Sequence, residues 1–216
     1  MKDKLETRAV MKVIAAMYPD AHIELKFHNL FELLIVVALS AQTTDKAVNK
    51  VSPALFAAYP TPKALAHADI NDVMHKLRTI GLYKNKAKNI IKCSQMLIDK
   101  FHGQVPNNKK DLMSLPGVGQ KTANVVLSVG FNIPELAVDT HVERVAKRLD
   151  LVPQNATVNE VEEILKSKIP KSDWTKAHHQ LIFFGRYFCK AKNPNCLECP
   201  LLAACPFGLN YLAEKG

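Results

Sequence analysis

Lys121 follows two glycines at short range, in Leu115-Pro116-Gly117-Val118-Gly119-Gln120-Lys121-Thr122-Ala123, and this is the stretch of the 216-residue chain where spacing speaks most directly of chemistry. Gly117 and Gly119 allow a tight turn whose N–H groups can face an anion, and the positive end of the following helix dipole adds attraction. Such a turn grips a nucleic-acid backbone without reading bases. A Walker-type loop needs four residues between a glycine and a Gly-Lys pair, whereas here Gln120 precedes the lysine. A helix cap and restart with no ligand leaves the same pattern. Lys121 opens the second helix, at the end where a cation is disfavoured by roughly 0.3–1 kcal/mol. That placement favours the neutral amine a Schiff-base nucleophile requires. A point charge on a phosphate is the other role open to it.

Two further sets of residues could do chemistry. Asp139, in Ala137-Val138-Asp139-Thr140-His141, is either a helix-start carboxylate or a partner for the amine one helix earlier. Thr140 with Glu143, and Thr157 with Glu160, have the spacing of a capping box. Cys189, Cys196, Cys199 and Cys205 are separated by six, two and five residues. Disulfides do not suit a chain without an export signal. Four close thiolates imply a metal site, and structural zinc is the default for such a group. Zinc modules usually pair two C-x-x-C knuckles, and this stretch has one, so an iron–sulfur cluster competes. Cys93, alone on an amphipathic helix, reads as a small core residue.

The elements that must position these residues read as helices throughout. Leu5, Val10, Val13, Ile14 and Met17 share one face of a helix over 3–17, closed by Tyr18-Pro19-Asp20. Residues 31–42 form a far more apolar helix that ends in Leu39-Ser40-Ala41-Gln42-Thr43-Thr44-Asp45, where Thr44 or Asp45 can cap the next one. Gln42 is a turn residue or an amide able to reach base edges. Helices over about 46–58 and 69–78 follow, on either side of Tyr59-Pro60-Thr61-Pro62. Ile80-Gly81-Leu82-Tyr83 then leads into a basic helix over 84–101, with Leu82 either packed or a wedge for a base stack. A short helix over 107–114 precedes the hairpin, and an apolar helical run through Ala123 and Val129 follows it. Strand signals are scarce and no repeat is visible, so the expected class is all-α.

The formal charge of +9 favours a polyanionic partner. Its basic groups fall in Lys84, Lys86, Lys88 and Lys92, in Lys109 and Lys110, and in Arg144, Lys147 and Arg148, each reading on its own as a solvated helix face. No stretch approaches the roughly 18 apolar residues of a membrane helix. Asp3, Glu6 and Lys12 interrupt the N-terminus, so it does not read as a signal peptide. The expected setting is cytoplasmic, associated with the nucleoid and away from membranes, and the expected state is a monomer.

Taken together, the Leu39–Asp45 stretch, Ile80-Gly81-Leu82-Tyr83, the hairpin through Val126, Val-Asp-Thr-His at 138–141 and the cysteine spacing resemble the endonuclease III family of DNA glycosylases, within the helix-hairpin-helix superfamily. The resemblance runs over nearly the whole chain. It implies a two-lobed fold: a six-helix domain at 23–133, and a lobe joining 1–22 to 134–216. That second lobe would carry a [4Fe-4S] cluster on Cys189, Cys196, Cys199 and Cys205. DNA would lie across the cleft between the lobes, with Lys121 and Asp139 at its mouth. Gly117, Val118 and Gly119 would hold backbone phosphate, as would Lys190 and Lys192 in the cysteine loop. Gln42 would fill the space left by a flipped base and Leu82 would wedge the opposite strand. The implied substrate is double-stranded DNA with an oxidised pyrimidine or an abasic site, processed through a Lys121 Schiff base.

The lysine separates this reading from adenine-removing relatives, which generally lack it and carry a further C-terminal domain. Relatives that remove oxidised guanine typically lack the cysteine loop. A noncatalytic DNA-binding module with structural zinc is the alternative from another class. Met113 stands where some family members have a carboxylate, which bears on proton transfer and lesion preference.

Overall fold

The structure is a computed structural model; it describes residues 1–215, and among these there is no β-strand. The chain forms two compact units, Glu24–Ile133 and a second composed of Met1–Ile23 with the chain from Pro134 onward.

Helix α1 (Lys4–Met17) belongs to the second unit and begins at a capping box in which Asp3 and Glu6 satisfy each other's backbone amides. Thr7, Val10, Met11 and Ile14 fall three or four residues apart and form its buried face.

The first unit is built around α2 (Leu30–Leu39), whose Leu33, Leu34, Ile35, Val36 and Leu39 are fully buried. A helix apolar on every side has no solvent face and becomes a core rod. Helix α3 (Asp45–Ala58), capped by Thr44, packs on it. Next come α4 (Pro62–Ala66) and α5 (Ile70–Leu77), both packed on the long α6 (Tyr83–Phe101). Helix α4 falls where sequence reading places only a connector; a five-residue turn is too short to show periodicity. Helix α7 (Lys109–Ser114) and α8 (Gln120–Val125) form the two arms of the hairpin. The expected continuous helix through Val129 instead widens to a π turn over Val126–Gly130.

In the second unit, α9 (Thr140–Arg148) and α10 (Val158–Lys168) precede α11 (Trp174–Phe183). A π turn over Phe184–Phe188 leads into the cysteine loop, and α12 (Pro206–Ala213) closes it. Ile14, Val142, Val145, Leu165, Leu181 and Phe184 make the core. Burying each such side chain contributes about 1.5–3 kcal/mol relative to exposure. Lys168, itself buried, donates to the carbonyls of Lys2 and Leu151 and fastens the start of the chain to this core. No helix among the described residues is long and apolar enough to cross a membrane.

Candidate functional site

The hairpin turn is held from inside. Leu115 and Val118 are buried, and the Val118 amide donates to the Leu115 carbonyl at 3.1 Å. Of the three turn residues expected to face phosphate, Val118 therefore serves as an anchor, with its amide used within the turn. The two glycines are not equivalent. Gly117 has φ +81, and a Cβ there would stand 3.1 Å from Asn89 Cβ on α6. Gly119 is extended, at φ −93, with nothing within 4 Å of a Cβ. It occupies the N-cap of α8 without a side chain to cap the helix, and the first amides of any helix have no partner within it. Lys121 is exposed in that first turn. Met113 is also exposed, at the end of the other arm.

The same unit brings Gln42 and Leu82 together. Both are exposed, and both adopt the left-handed conformation, with φ 52 and φ 57. For a residue with a Cβ this costs about 1–2 kcal/mol. The two turns touch: a Cβ on Gly81 would lie 3.7 Å from the Gln42 carbonyl oxygen and 3.9 Å from Thr43 Oγ1. Helix α6 underlies all three features, beginning directly after Leu82 and supplying Asn89 beneath Gly117. Lys84, Lys88 and Lys92 are solvated as their spacing predicts, but Lys86 is buried, and its ammonium donates to Thr43 Oγ1.

In the other unit, Asp139 is the N-cap of α9: Oδ1 accepts from the amides of His141 and Val142, each at 2.9 Å. Asp139 is thus the helix-start carboxylate, while the box expected of Thr140 and Glu143 is absent: Glu143 pairs with Lys147 at 2.7 Å. The box expected at Thr157 and Glu160 is present. Asp139 Oδ2 faces His141 Nδ1 at 3.0 Å. Two residues before Asp139, the Ala137 carbonyl accepts from Nδ1 of the buried His178 at 2.7 Å. A carbonyl can only accept, which places a proton on that nitrogen. The adjoining His179 is pushed down to about 3, by burial first and then by His178 and His22.

The four cysteines line a single cavity of about 310 Å³, its open mouth included, with Leu149, Phe184 and Phe207 among its walls. No imidazole or carboxylate lines it. Burial raises the thiols of Cys196, Cys199 and Cys205, and neighbouring sulfurs raise each further. The Gly208 amide, which works the other way on Cys205, reaches its Sγ at 3.3 Å. Arg148 Nη1 donates to Cys189 Sγ at 3.4 Å.

Arg144 and Arg148, read from sequence as solvated, instead hold the loop. Arg144 donates to the carbonyls of Gly185 and Cys189. Arg148 donates to those of Lys190 and Ala191 at 2.7 and 3.1 Å, and its guanidinium lies 3.9 Å from the centroid of the Phe207 ring. Lys190 and Lys192 are exposed on this loop. Cys93 is a buried core thiol.

Residues 35–171 match the model of the HhH-GPD superfamily base excision DNA repair protein. Among curated relatives, endonuclease III of Bacillus subtilis is 52% identical over 90% of this chain and 89% of its own. Endonuclease III of Escherichia coli is 43% identical over 88% and 89%. A solved non-covalent endonuclease III–DNA complex superposes with TM-score 0.97 at 51% identity, covering 99% of this chain and 100% of that one. A trapped endonuclease III–DNA covalent intermediate gives 0.96 at 51% identity over 98% and 100%. The fold and hairpin thus define a helix-hairpin-helix protein of the base excision repair superfamily. Within that superfamily, the chain belongs to the endonuclease III family.

Proposed function

We infer that this chain is a base excision repair enzyme, a bifunctional DNA glycosylase and abasic-site lyase. It acts on double-stranded DNA carrying an oxidised pyrimidine or an abasic site. One observation carries the reading: 51% identity and a TM-score of 0.96, over 98% of the chain, to an endonuclease III trapped covalently on DNA. Covalent capture requires a nucleophile, and this reading assigns it to Lys121, an exposed amine in the first turn of the hairpin's second helix.

The chemistry follows from the residues. The reactive C1′ of a damaged nucleotide is out of reach inside the stack, so the nucleotide must be flipped. Gln42 takes the vacated space and Leu82 wedges the opposite strand. Gly119 presents its backbone to a phosphate, and Gly117 makes the turn that allows this. The Lys121 amine attacks C1′ and expels the base. Asp139 stabilises positive charge on the sugar and relays protons. Opening of the C1′–O4′ bond, with a proton passed to O4′, turns the adduct into an imine. The imine acidifies the C2′ proton, whose loss expels the 3′ phosphate and cuts the strand on the 3′ side. One lysine thereby serves both activities.

For the cysteine loop we propose a [4Fe-4S] cluster on Cys189, Cys196, Cys199 and Cys205. The donor set fits: four thiols and no imidazole or carboxylate around one apolar cavity, with N–H donors on two of the sulfurs. When bound, the cluster ties the four thiolates together and braces the loop. Lys190 and Lys192 on that loop contact phosphate. In this reading residues 23–133 form the hairpin lobe, and 1–22 with 134–216 form the cluster lobe.

The test is a duplex containing thymine glycol, labelled on the damaged strand. The expected product is a strand cut without added alkali, ending in the unsaturated aldehyde left by β-elimination. An intact strand that breaks only after alkali would reduce the reading to a monofunctional glycosylase.

A further inference from the structure

We propose that Lys86 is a positioning residue that locks the Gln42 turn to the Leu82 turn, so that the two side chains enter the duplex as one preassembled device. The inference rests on the insertion roles given above for Gln42 and Leu82.

The bonding of Lys86 is the first support. Its main-chain N–H donates to the Leu82 carbonyl at 3.0 Å, and its side-chain ammonium donates to Oγ1 of Thr43, the residue after Gln42. A single residue thus holds both turns, 43 positions apart in sequence from its side-chain partner. Gly81 lies where the turns meet, near the Gln42 carbonyl oxygen and Thr43 Oγ1.

The conformations of the two turns are the second support. Gln42 and Leu82 both have positive φ although neither is glycine, and both side chains are exposed. Such strain persists only where the surroundings impose it, and it gathers where a side chain must be aimed. Exposure removes side-chain packing as the source of that constraint, which leaves the backbone and the Lys86 bond.

The third is the cost of Lys86 itself. Its side chain is buried, burial pushes its pKa down, and its hydrogen-bond partner is a neutral hydroxyl. Burying a charge in this way costs free energy that an apolar side chain would not. Lys84 and Lys88 on either side are exposed, so a cation at 86 adds no charge that the surface lacks. What it adds is a directional bond to Thr43.

The test uses a duplex with a tetrahydrofuran abasic analogue and 2-aminopurine beside it, whose fluorescence rises as the stack opens. Full-length Lys86→Met, Thr43→Val and their double variant are compared with Gln42→Ala and Leu82→Ala. In parallel, excision of thymine glycol from duplex is divided by lyase activity on a single-stranded abasic oligonucleotide.

Lys86→Met and Thr43→Val are each expected to reduce the fluorescence rise and to lower that ratio about tenfold, the worth of one charge-assisted hydrogen bond. The double variant is expected to be no worse than either single one. Should Lys86→Met fail to fold, Thr43→Val carries the test, since it removes the acceptor and leaves the lysine.

Three results overturn the proposal, each in its own way. Unchanged fluorescence and ratio in Lys86→Met and Thr43→Val, with Gln42→Ala and Leu82→Ala impaired, would reject Lys86 while keeping the insertion reading. Wild-type behaviour in Gln42→Ala and Leu82→Ala would remove that reading and the proposal with it. Equal losses on duplex and single strand would make Lys86 a general structural residue.

Discussion

The Gly117 turn and the Cys189–Cys205 loop are both irregular segments beside helices, and they are held in opposite ways. The turn is fixed by covalent geometry and close packing: a positive φ at Gly117, Asn89 beneath it, and Leu115 and Val118 buried on either side. The loop is fixed by polar donors and thiols: two arginines gather its carbonyls, and four cysteines line an apolar cavity. Short backbone grips can be built from a few apolar contacts and a glycine. A longer loop has more carbonyls to satisfy, and here charged side chains supply the donors.

The largest expected effect breaks the loop alone. Cys199→Ser removes one of the four donors of the proposed [4Fe-4S] cluster, so the brown colour and bound iron that such a cluster gives should be lost and the unit destabilised by more than about 4 kcal/mol, as losses of metal sites do. Iron analysis and calorimetry check this; a colourless wild-type protein containing zinc would instead favour the noncatalytic module.

Acid sharpens the contrast next. His179 has a folded pKa of about 3, below its unfolded value near 6.5, so the folded state keeps it neutral while the unfolded chain takes up a proton. Its stabilisation is therefore complete above pH 6.5 and is lost as pH falls toward 3. Between pH 7 and pH 5 the loss is about 2 kcal/mol. Urea unfolding of His179→Leu should show a pH dependence smaller by that amount.

A smaller effect belongs to the turn. Gly117→Ala forces a Cβ into the left-handed region and should cost about 1–2 kcal/mol, with the approach to Asn89 adding to it. Urea midpoints and DNA affinity should both fall. Gly119→Ala is expected to be the mildest for stability, within about 0.5 kcal/mol, because its backbone is extended and its surroundings are open. It should nevertheless weaken binding to abasic-analogue duplex. If both glycine variants lost the same stability, the division between a conformational glycine and a contact glycine would be wrong.

These differences also mark where the sequence could be read. Helices with strong periodicity or clear caps were legible, as with α1 at Asp3 and Glu6 and α10 at Thr157 and Glu160. The cysteine spacing stood out because four close thiols without an export signal imply a metal; the glycine pair spoke only in company, since a plain cap and restart leaves the same pattern. The π turns at Val126 and Phe184 were not visible, since residue type does not distinguish them from continued α-helix. Nor were the roles of Lys86, Arg144 and Arg148, because a basic residue on a helix looks solvated until the element covering it is known. His178 went unnoticed for the same reason: its partner is a carbonyl 41 positions away. The helix-start carboxylate read at Asp139 is present, whereas the capping box read at Thr140 and Glu143 is not, because its spacing also arises where no box forms.

The central claim is that Lys121 forms an imine with the damaged nucleotide, and borohydride trapping on a thymine glycol duplex tests it most directly. The account predicts a covalent protein–DNA adduct with the intact protein and none with Lys121→Ala, while the variant keeps its colour and still binds DNA. An adduct of equal yield from Lys121→Ala would contradict it by placing the nucleophile elsewhere, and no adduct from intact, brown, DNA-binding protein would contradict the imine mechanism itself.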